Sequence, residues 1–274
     1  MNPTFFQVEH LTRRFGGLVA VDDVSFAVER GMTYSIIGPN GAGKTTLFNC
    51  INGIYKPTSG TIRFEGEPIS GLKPHQIARR GLARTFQNLE LFAHVTTMEN
   101  LMLGRHLHMN TGLWRGATML FRRSKAVQEE IEHRERVEQI IDLLDLHAAR
   151  DKPVAALPYG TQKLVELGRA LAMEPSLLLL DEPSAGMNQE EQDDLVFWLQ
   201  DIKAEFDVTI LMIEHHMQMV MDISDRILAL NFGKPITEGT PEEVASHPEV
   251  IKAYLGEEAE TLAAEHVRRD TESD

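Results

Sequence analysis

A nine-residue segment, Gly38–Thr46, reads GPNGAGKTT and fits the pattern G-x-x-x-x-G-K-[ST]. Glycines let main-chain N–H groups turn inward and form a concave site for anions. In such a loop the lysine, here Lys44, reaches the β- and γ-phosphates of a nucleotide, and the hydroxyl of Thr45 ligates Mg²⁺. The candidate phosphate contacts are Gly38, Pro39, Asn40, Gly41, Ala42, Gly43, Lys44, Thr45 and Thr46.

The surroundings of this segment distinguish a nucleotide-binding loop from a chance match in a glycine-containing turn. Met32–Ile37 has the pattern of a short buried strand, and a helical pattern runs from Lys44 to about Asn52. A helix that begins at the loop points its positive end at the bound phosphate. The flanking strand and helix therefore favour the nucleotide-binding interpretation.

Two adjacent carboxylates follow a run of four leucines, Leu177–Leu180. Such a run is typical of a strand buried on both faces, and ligands collect at the carboxyl ends of strands in open α/β sheets. Asp181 suits the role of organising Mg²⁺, and Glu182 suits the role of polarising the water that attacks the γ-phosphate. The alternative is a strand that simply stops at a charged turn, which the glycine-rich loop elsewhere in the chain disfavours.

Strand and helix patterns alternate along the chain, which indicates crossover units and a mostly parallel core sheet. Short N-terminal strands with tight turns indicate an antiparallel β patch beside it. The predicted strands are Val24–Val28, Met32–Ile37, Thr61–Phe64, Leu177–Leu180, Val208–Ile213 and Arg226–Leu230. The predicted fold class is α/β, a P-loop NTPase with an inserted helical subdomain.

The helical subdomain is predicted from a polar helical run between Ser124 and Leu146. Its apolar residues recur at near-helical spacing: Val127, Ile131, Val137, Ile140, Ile141 and Leu144. The last residues, GEEAETLAAEHVRRDTESD, have little to bury and predict a solvated acidic tail. The predicted segments are the N-terminal part of the core at 1–88, the helical subdomain at 89–156, the C-terminal part of the core at 157–256, and the tail at 257–274.

Composition narrows the function classes. The chain has 274 residues and a formal net charge of −14, which argues against nucleic acid as a partner because phosphate-backbone binding needs a basic face. The single cysteine, Cys50, makes an internal disulfide impossible and fits a reducing compartment. No export signal is visible, and the apolar stretches are short against the roughly 20 residues of a membrane-spanning helix. If the protein acts at a membrane, it therefore requires a membrane-embedded partner.

Three further residues stand in the expected order along the chain: Phe15, Gln87 in RTFQN, and His215 in MIEHHM. Together with the two motifs, they resemble the ATP-binding subunits of ABC transporters over about Phe6 to Gly256. The resemblance implies ATP and Mg²⁺ as cofactors. It implies that Phe15 stacks on adenine, that Gln87 senses the γ-phosphate and ligates the metal, and that His215 holds the γ-phosphate and the base. The implied catalytic residues are Lys44, Gln87, Glu182 and His215.

The signature motif departs from the common family form, L-S-G-G-Q. Leu157–Gln162 reads LPYGTQ, in which Pro158 supplies neither a hydroxyl nor an N–H group but suits the start of a helix. The resemblance implies that Tyr159, Gly160 and Thr161 meet the nucleotide of a partner subunit through backbone donors and the helix N-terminus. Asn188 stands where the family usually has an aspartate.

The resemblance also implies partners. In this family each ATP lies between the loop of one subunit and the signature of another, so this chain requires a second ATPase, either itself or a sister subunit. It implies two membrane permeases, a periplasmic or extracellular substrate-binding protein that acts indirectly, and a peripheral position on the cytoplasmic face of the inner membrane. The pattern D-E-P-x-A-G-x-N at Asp181–Asn188 and the ending SDRILALNFGKPITEGTPEEVASHPEVIKAYLG resemble those of the ATPases of branched-chain amino acid importers. This resemblance implies import of branched-chain or related amino acids or amides. The alternatives are a soluble non-transport ATPase of this type and a weakly active regulatory nucleotide-binding module.

Overall fold

The computed structural model describes residues 4–85, 89–108 and 119–254. Two compact units divide the chain: the first combines Met1–Ile77 with Thr209–Asp274, and the second is Ala78–Val208. The strands are β1 (Phe6–Phe15), β2 (Leu18–Val28), β3 (Thr33–Ile37), β4 (Ser59–Phe64), β5 (Glu67–Pro68), β6 (Leu82–Arg84), β7 (Leu177–Asp181), β8 (Thr209–Ile213), β9 (Arg226–Asn231) and β10 (Lys234–Gly239). The helices are α1 (Lys44–Ile51), α2 (Pro74–Ala78), α3 (Thr97–Gly104), α4 (Met119–Leu143), α5 (Tyr159–Leu171), α6 (Gln189–Phe206), α7 (Met217–Ile223) and α8 (Pro241–Ala245).

The first unit contains the predicted antiparallel patch, with strands in the order β2–β1–β4–β5. The β1–β2 hairpin closes with Phe15 opposite Leu18, and Gly16 at φ +57 provides the left-handed turn that the close reversal needs. Apolar side chains of β1 and β4 point inward, among them Phe6, Leu11 and Ile62, all fully buried. From Asp23 to Val28 exposed and buried residues of β2 alternate with the period of two that one-sided burial requires.

The first unit also contains part of the parallel core, in which β3 lies between β8 and β9. Every residue of β3 and of β8 is buried, as expected for strands covered on both faces. The residues TYSII and TILMI are mostly apolar, β-branched or aromatic, and such residues pack well in buried strands. β10 pairs antiparallel with β9 and forms an edge.

Helix α1 packs its apolar face into the first unit, with Leu47, Phe48 and Ile51 fully buried. Cys50 lies on the same face with 1% of its surface exposed. Burial raises the pKa of the Cys50 thiol to about 11, against a smaller opposing effect of the Arg13 guanidinium.

The second unit pairs β6 and β7 in parallel and carries helices α3 to α6. The predicted helical run is confirmed as α4, although the helix ends at Leu143 because Asp145 adopts a left-handed conformation at φ +48. Val137, Ile140 and Ile141 are buried as the spacing predicts, whereas Ile131 is 44% exposed. The predicted boundaries at 88 and 256 and the tail at 257–274 lie outside the described residues, and the four-segment division stays a prediction.

Capping residues determine where several helices begin. Thr96 and Glu99 form a reciprocal capping box at α3, and Thr240 and Glu243 form another at α8. Within the described ranges, no helix combines the length and apolarity that crossing a bilayer requires.

Candidate nucleotide-binding site

The phosphate loop leaves β3 at Gly38 and enters α1 at Lys44, as predicted from the sequence. Gly38 and Gly43 have φ values of +149° and +96°. A Cβ on Gly38 would lie 2.2 Å from the carbonyl oxygen of Leu230, and one on Gly43 would lie 2.3 Å from that of Ala20. Because both obstacles are backbone atoms, only glycine allows the loop to pass between them.

Lys44 lies inside the loop, with only 5% of its surface exposed. Its ammonium donates hydrogen bonds to the carbonyl oxygens of Gly38 and, at 3.0 Å, Pro39. Gly43 supplies no side-chain cap to α1, so an anion is a suitable partner for the first N–H groups of this helix. Thr45 is exposed at the same end of α1. The loop thus presents an ammonium, a hydroxyl and a helix N-terminus, which is the donor set that a triphosphate needs.

Phe15, at the end of β1, lies in a cluster with Arg13 and Tyr55. The Arg13 guanidinium stands over the Phe15 ring at 4.3 Å from its centroid, and the Tyr55 ring meets the Phe15 ring edge-on at 5.2 Å. Phe15 keeps 38% of its surface exposed. These contacts support the ring, and its exposed part is aromatic surface of the kind on which a base stacks.

His215 follows β8 directly after the buried Glu214. The backbone N–H groups of His215 and His216 donate to Oε2 of Glu214 at 2.7 and 3.1 Å, so this carboxylate shapes the turn that carries the histidine. β8 runs parallel to β3 with Ile213 opposite Ile36. The turn with His215 and the phosphate loop therefore leave the same edge of the first unit's sheet.

The acidic strand end lies in the second unit, where β7 ends at Asp181. Asp181 is 1% exposed, and its Oδ2 accepts a hydrogen bond of 2.5 Å from Nη2 of Arg84 at the end of β6. Burial raises the pKa of Asp181 above its ordinary value, and the charge and hydrogen bond of Arg84 oppose that rise. Oδ1 of Asp181 is buried without a hydrogen-bond partner among the described residues, which fits an acceptor awaiting a water of a hydrated metal ion.

Glu182 occupies a left-handed conformation at φ +50, which is uncommon for a residue with a side chain. The turn that follows is closed by hydrogen bonds from Ala185 N to Glu182 O and from Met187 N to Ser184 O, both at 3.1 Å. Residues in such conformations are frequent at functional sites, and this one is the residue that the sequence predicts as the base.

The signature segment begins α5, as the proline at position 158 predicts. Pro158 is the N-cap residue and supplies no side-chain hydrogen bond, while Tyr159, Gly160 and Thr161 form the first turn. A Cβ on Gly160 would lie 2.3 Å from Oε1 of Glu191, so this glycine permits close packing against the start of α6. Tyr159 is 44% exposed.

Asn188 has a local structural role that explains its presence where the family usually has an aspartate. It is the N-cap of α6, and its Oδ1 accepts from Glu191 N at 3.0 Å while Oε2 of Glu191 accepts from Asn188 N at 2.9 Å. Asparagine and aspartate are equally good N-cap residues, so the exchange leaves the helix start intact.

The structure groups the predicted residues by unit. Phe15, the phosphate loop and His215 belong to the first unit, and the signature residues with Asp181 and Glu182 belong to the second. Gln87 lies outside the described residues. Sequence reasoning missed Arg84, although a buried aspartate implies a nearby cation and Arg84 stands three residues before Gln87.

A family model described as "ABC transporter" matches residues 21–185, more than half of the chain. The chain belongs to the ABC transporter family. A second model, described as "Branched-chain amino acid ATP-binding cassette transporter", matches residues 234–260 of this ABC protein. The fold, the ATP-binding role and the transport-coupled ATPase activity predicted from the sequence are thereby confirmed.

Two curated relatives of this ABC protein are named high-affinity branched-chain amino acid transport ATP-binding proteins. BraF of Pseudomonas aeruginosa is 46% identical over 259 residues, covering 94% of this chain and 100% of that protein. LivG of Escherichia coli strain K12 is 42% identical over 259 residues, with the same coverage of both chains. At this similarity the chain is a member of the branched-chain amino acid branch of ABC ATP-binding proteins.

Solved structures confirm the fold of the ABC ATPase. A nucleotide-free ATP-binding cassette from an ABC transporter has a TM-score of 0.79 and 32% identity, covering 92% of this chain and 99% of that one. An ATP-binding cassette in an ADP conformation has a TM-score of 0.79 and 30% identity, covering 93% of this chain and 99% of that one.

Proposed function

We propose that this ABC ATPase powers import of branched-chain or related amino acids or amides through a membrane permease. The single observation that carries the proposal is the 42–46% identity, over 94% of the chain, to two proteins named for high-affinity branched-chain amino acid transport. The C-terminal match at residues 234–260 supports the same branch. The proposed assembly contains a second ATPase, self or sister, and two permeases at the cytoplasmic face of the inner membrane, and receives cargo from an external substrate-binding protein.

In the proposed mechanism the first unit binds the nucleotide. Phe15 stacks on adenine, the amides of the phosphate loop surround the phosphates, and Lys44 exchanges its contacts with loop carbonyls for contacts with the β- and γ-phosphates. Thr45 and Asp181 are the proposed Mg²⁺ residues, with Gln87 as a third. The unpartnered buried Oδ1 of Asp181 supports this assignment. Bound Mg²⁺ neutralises charge on the phosphate oxygens.

Glu182 is the proposed base: its carboxylate accepts a proton from the water that attacks the γ-phosphorus, and the bond to the β,γ-bridging oxygen breaks to release phosphate and ADP. His215 is proposed to hold the γ-phosphate and the orientation of Glu182. The first turn of α5, with Tyr159, Gly160 and Thr161, is proposed to face the γ-phosphate bound by the partner ATPase. ATP then stabilises the closed pair, and hydrolysis releases it.

Substitution of the proposed base tests the hydrolytic mechanism. Glu182→Gln should lower ATP turnover by about 10²- to 10⁴-fold and leave ATP affinity nearly unchanged, because the amide keeps the shape and loses the base. Glu190→Gln is the matched control, since Glu190 is an exposed acid in the first turn of α6. Turnover retained by Glu182→Gln in the assembled transporter would refute the base assignment.

The cargo requires a separate experiment on the whole transporter in proteoliposomes. Leucine-loaded binding protein on the outside should stimulate ATP hydrolysis and drive leucine inward. Stimulation by a short amide or urea, and none by leucine or valine, would contradict the branched-chain assignment and move the transporter to a related branch. Stable association with ribosomes and no permease partner would contradict transport itself.

A further inference from the structure

The helical segment 248–254 brings a side chain to the start of the phosphate loop. The hydroxyl oxygen of Tyr254 accepts a hydrogen bond of 2.8 Å from the backbone N–H of Gly38. Both residues belong to the first unit, and Gly38 is buried while Tyr254 is partly buried. The contact spans 216 positions of sequence, so it is a product of the tertiary fold.

Three contacts restrain Gly38. Its amide donates to Tyr254, its carbonyl oxygen accepts from Lys44, and its Cα lies against the carbonyl of Leu230 on β9. The Gly38 amide therefore does not join the amides available to phosphate. It anchors the first peptide of the loop, from which the remaining N–H groups are aligned.

Nucleotide binding removes one of these restraints. In the proposed mechanism Lys44 turns from the Gly38 carbonyl to the phosphates, so the Gly38–Pro39 peptide loses its ammonium contact. The hydrogen bond from the Gly38 N–H to the Tyr254 hydroxyl, on the preceding peptide, then remains to hold this residue in place. A loop that stays aligned loses less conformational freedom on binding and has higher affinity.

We propose that Tyr254 is a positioning residue for ATP binding, and that the C-terminal segment acts through it as a support of the phosphate loop. The proposal rests on the proposed function of the loop. Tyr254 lies within residues 234–260, which match the family model of the branched-chain amino acid transporters. The proposal therefore assigns to this matched segment a physical role at the nucleotide site.

The test is Tyr254→Phe in the assembled transporter, because phenylalanine keeps the ring and removes only the acceptor. The KM for ATP should rise about three- to tenfold with kcat changed less than about twofold, as expected when one hydrogen bond that acts equally in ground and transition states is lost. Lys252→Ala is the matched control, since Lys252 is exposed in the same segment, and its KM should equal that of the natural protein.

Hydrogen exchange supplies a readout that does not depend on turnover, and the amides of β8 report any general loss of stability in the variant. In the natural nucleotide-free ATPase the Gly38 amide should exchange slowly, and in Tyr254→Phe it should exchange at least about tenfold faster while β8 amides keep their rates. An unprotected Gly38 amide in the natural protein, or a KM in Tyr254→Phe equal to the control, would overturn the proposal. Failure of the natural transporter to hydrolyse ATP would count against the proposed function and leave the exchange test valid.

Discussion

The ring of Tyr159 lies directly against the backbone of Gly186. A Cβ on Gly186 would come within 2.7 Å of Cε1 of Tyr159, and Gly186 has a φ of +80. Tyr159 occupies the signature position at which the common family form has glycine, and Gly186 lies in the turn after Glu182. The large residue in the signature is therefore accommodated by a glycine in the turn that carries the proposed base.

This packing predicts an energetic coupling between the two positions. Gly186→Ala should destabilise the protein by about 1 kcal/mol more when Tyr159 is present than in a Tyr159→Gly background, because only the backbone strain remains once the ring is removed. The free energy of unfolding in urea measures it for the four proteins of the cycle. Gly66→Ala is the control, since Gly66 has a φ of +81 and a Cβ placed on it would meet no atom within 4 Å, and its cost should be the same in both backgrounds.

The buried Arg84–Asp181 pair predicts a pH-dependent loss of stability. Arg84→Met leaves the Asp181 carboxylate buried without its cation and should cost about 3–5 kcal/mol at neutral pH. Removing the arginine raises further a pKa that burial already raises, so Asp181 takes up a proton at higher pH when folded than when unfolded.

The sign of that pH dependence follows from the linkage between proton binding and unfolding. The loss of stability caused by Arg84→Met is complete above the folded-state pKa of Asp181 in the variant. It shrinks as the pH falls through that pKa, because the carboxyl then becomes neutral. Urea denaturation across the acidic range measures it. Arg63→Met is the control, because Arg63 and Glu9 are nearly half exposed and their charged atoms lie 3.9 Å apart. Removing this pair should lower the free energy of unfolding little at every pH. A constant penalty for Arg84→Met would contradict the explanation.

Phe15 should contribute to the binding of the adenine base and not to the binding of the phosphates. Phe15→Ala should weaken ATP binding by about 1–3 kcal/mol, the usual contribution of one base stacked on an aromatic side chain, and should leave tripolyphosphate binding unchanged. Calorimetric titration with both ligands measures the difference. Phe197→Ala is the control, because Phe197 is a 64% exposed phenylalanine on α6. Equal weakening of both ligands would show that Phe15 only supports the fold.

The ion pair between Arg150 and Glu138 predicts a loss of stability in the same direction but in a lower pH range. The Arg150 guanidinium holds the pKa of Glu138 below its ordinary value, chiefly through their hydrogen bond. Its stabilisation is therefore present above the unfolded-state pKa of glutamate and is lost as the pH falls through the lower folded-state pKa. Arg150→Met should lower Tm at neutral pH, and the difference should vanish in strong acid. Arg134→Met, which removes an exposed pair with Glu130 at 3.6 Å, should change Tm little at any pH.

Local sequence was sufficient for those parts of the fold that local chemistry determines. The buried strands β3 and β7, the phosphate loop and the start of α5 at Pro158 all follow from short patterns of apolar, glycine and proline residues. The N-cap role of Asn188 was also readable, because Asn188 and Glu191 have the spacing of a capping box.

The remainder depends on contacts between distant parts of the chain. Arg84 meets Asp181 across 97 positions, and Tyr254 meets Gly38 across 216. No periodicity or spacing encodes such pairs. Ile131 shows the same limit: it fits the helical stripe by spacing, yet it is exposed because the packing around α4 does not cover that position.

The burial of Cys50 makes the native protein a clean starting point for chemical labelling. Cys50 is 1% exposed, and its thiol has a pKa of about 11, so it stays protonated at neutral pH. Maleimides and iodoacetamide should therefore not react with the folded chain at neutral pH. Cysteines introduced on exposed turns would then carry fluorophores or spin labels without background. The slow rate at which Cys50 itself is labelled would then measure how often α1 opens and exposes its thiol.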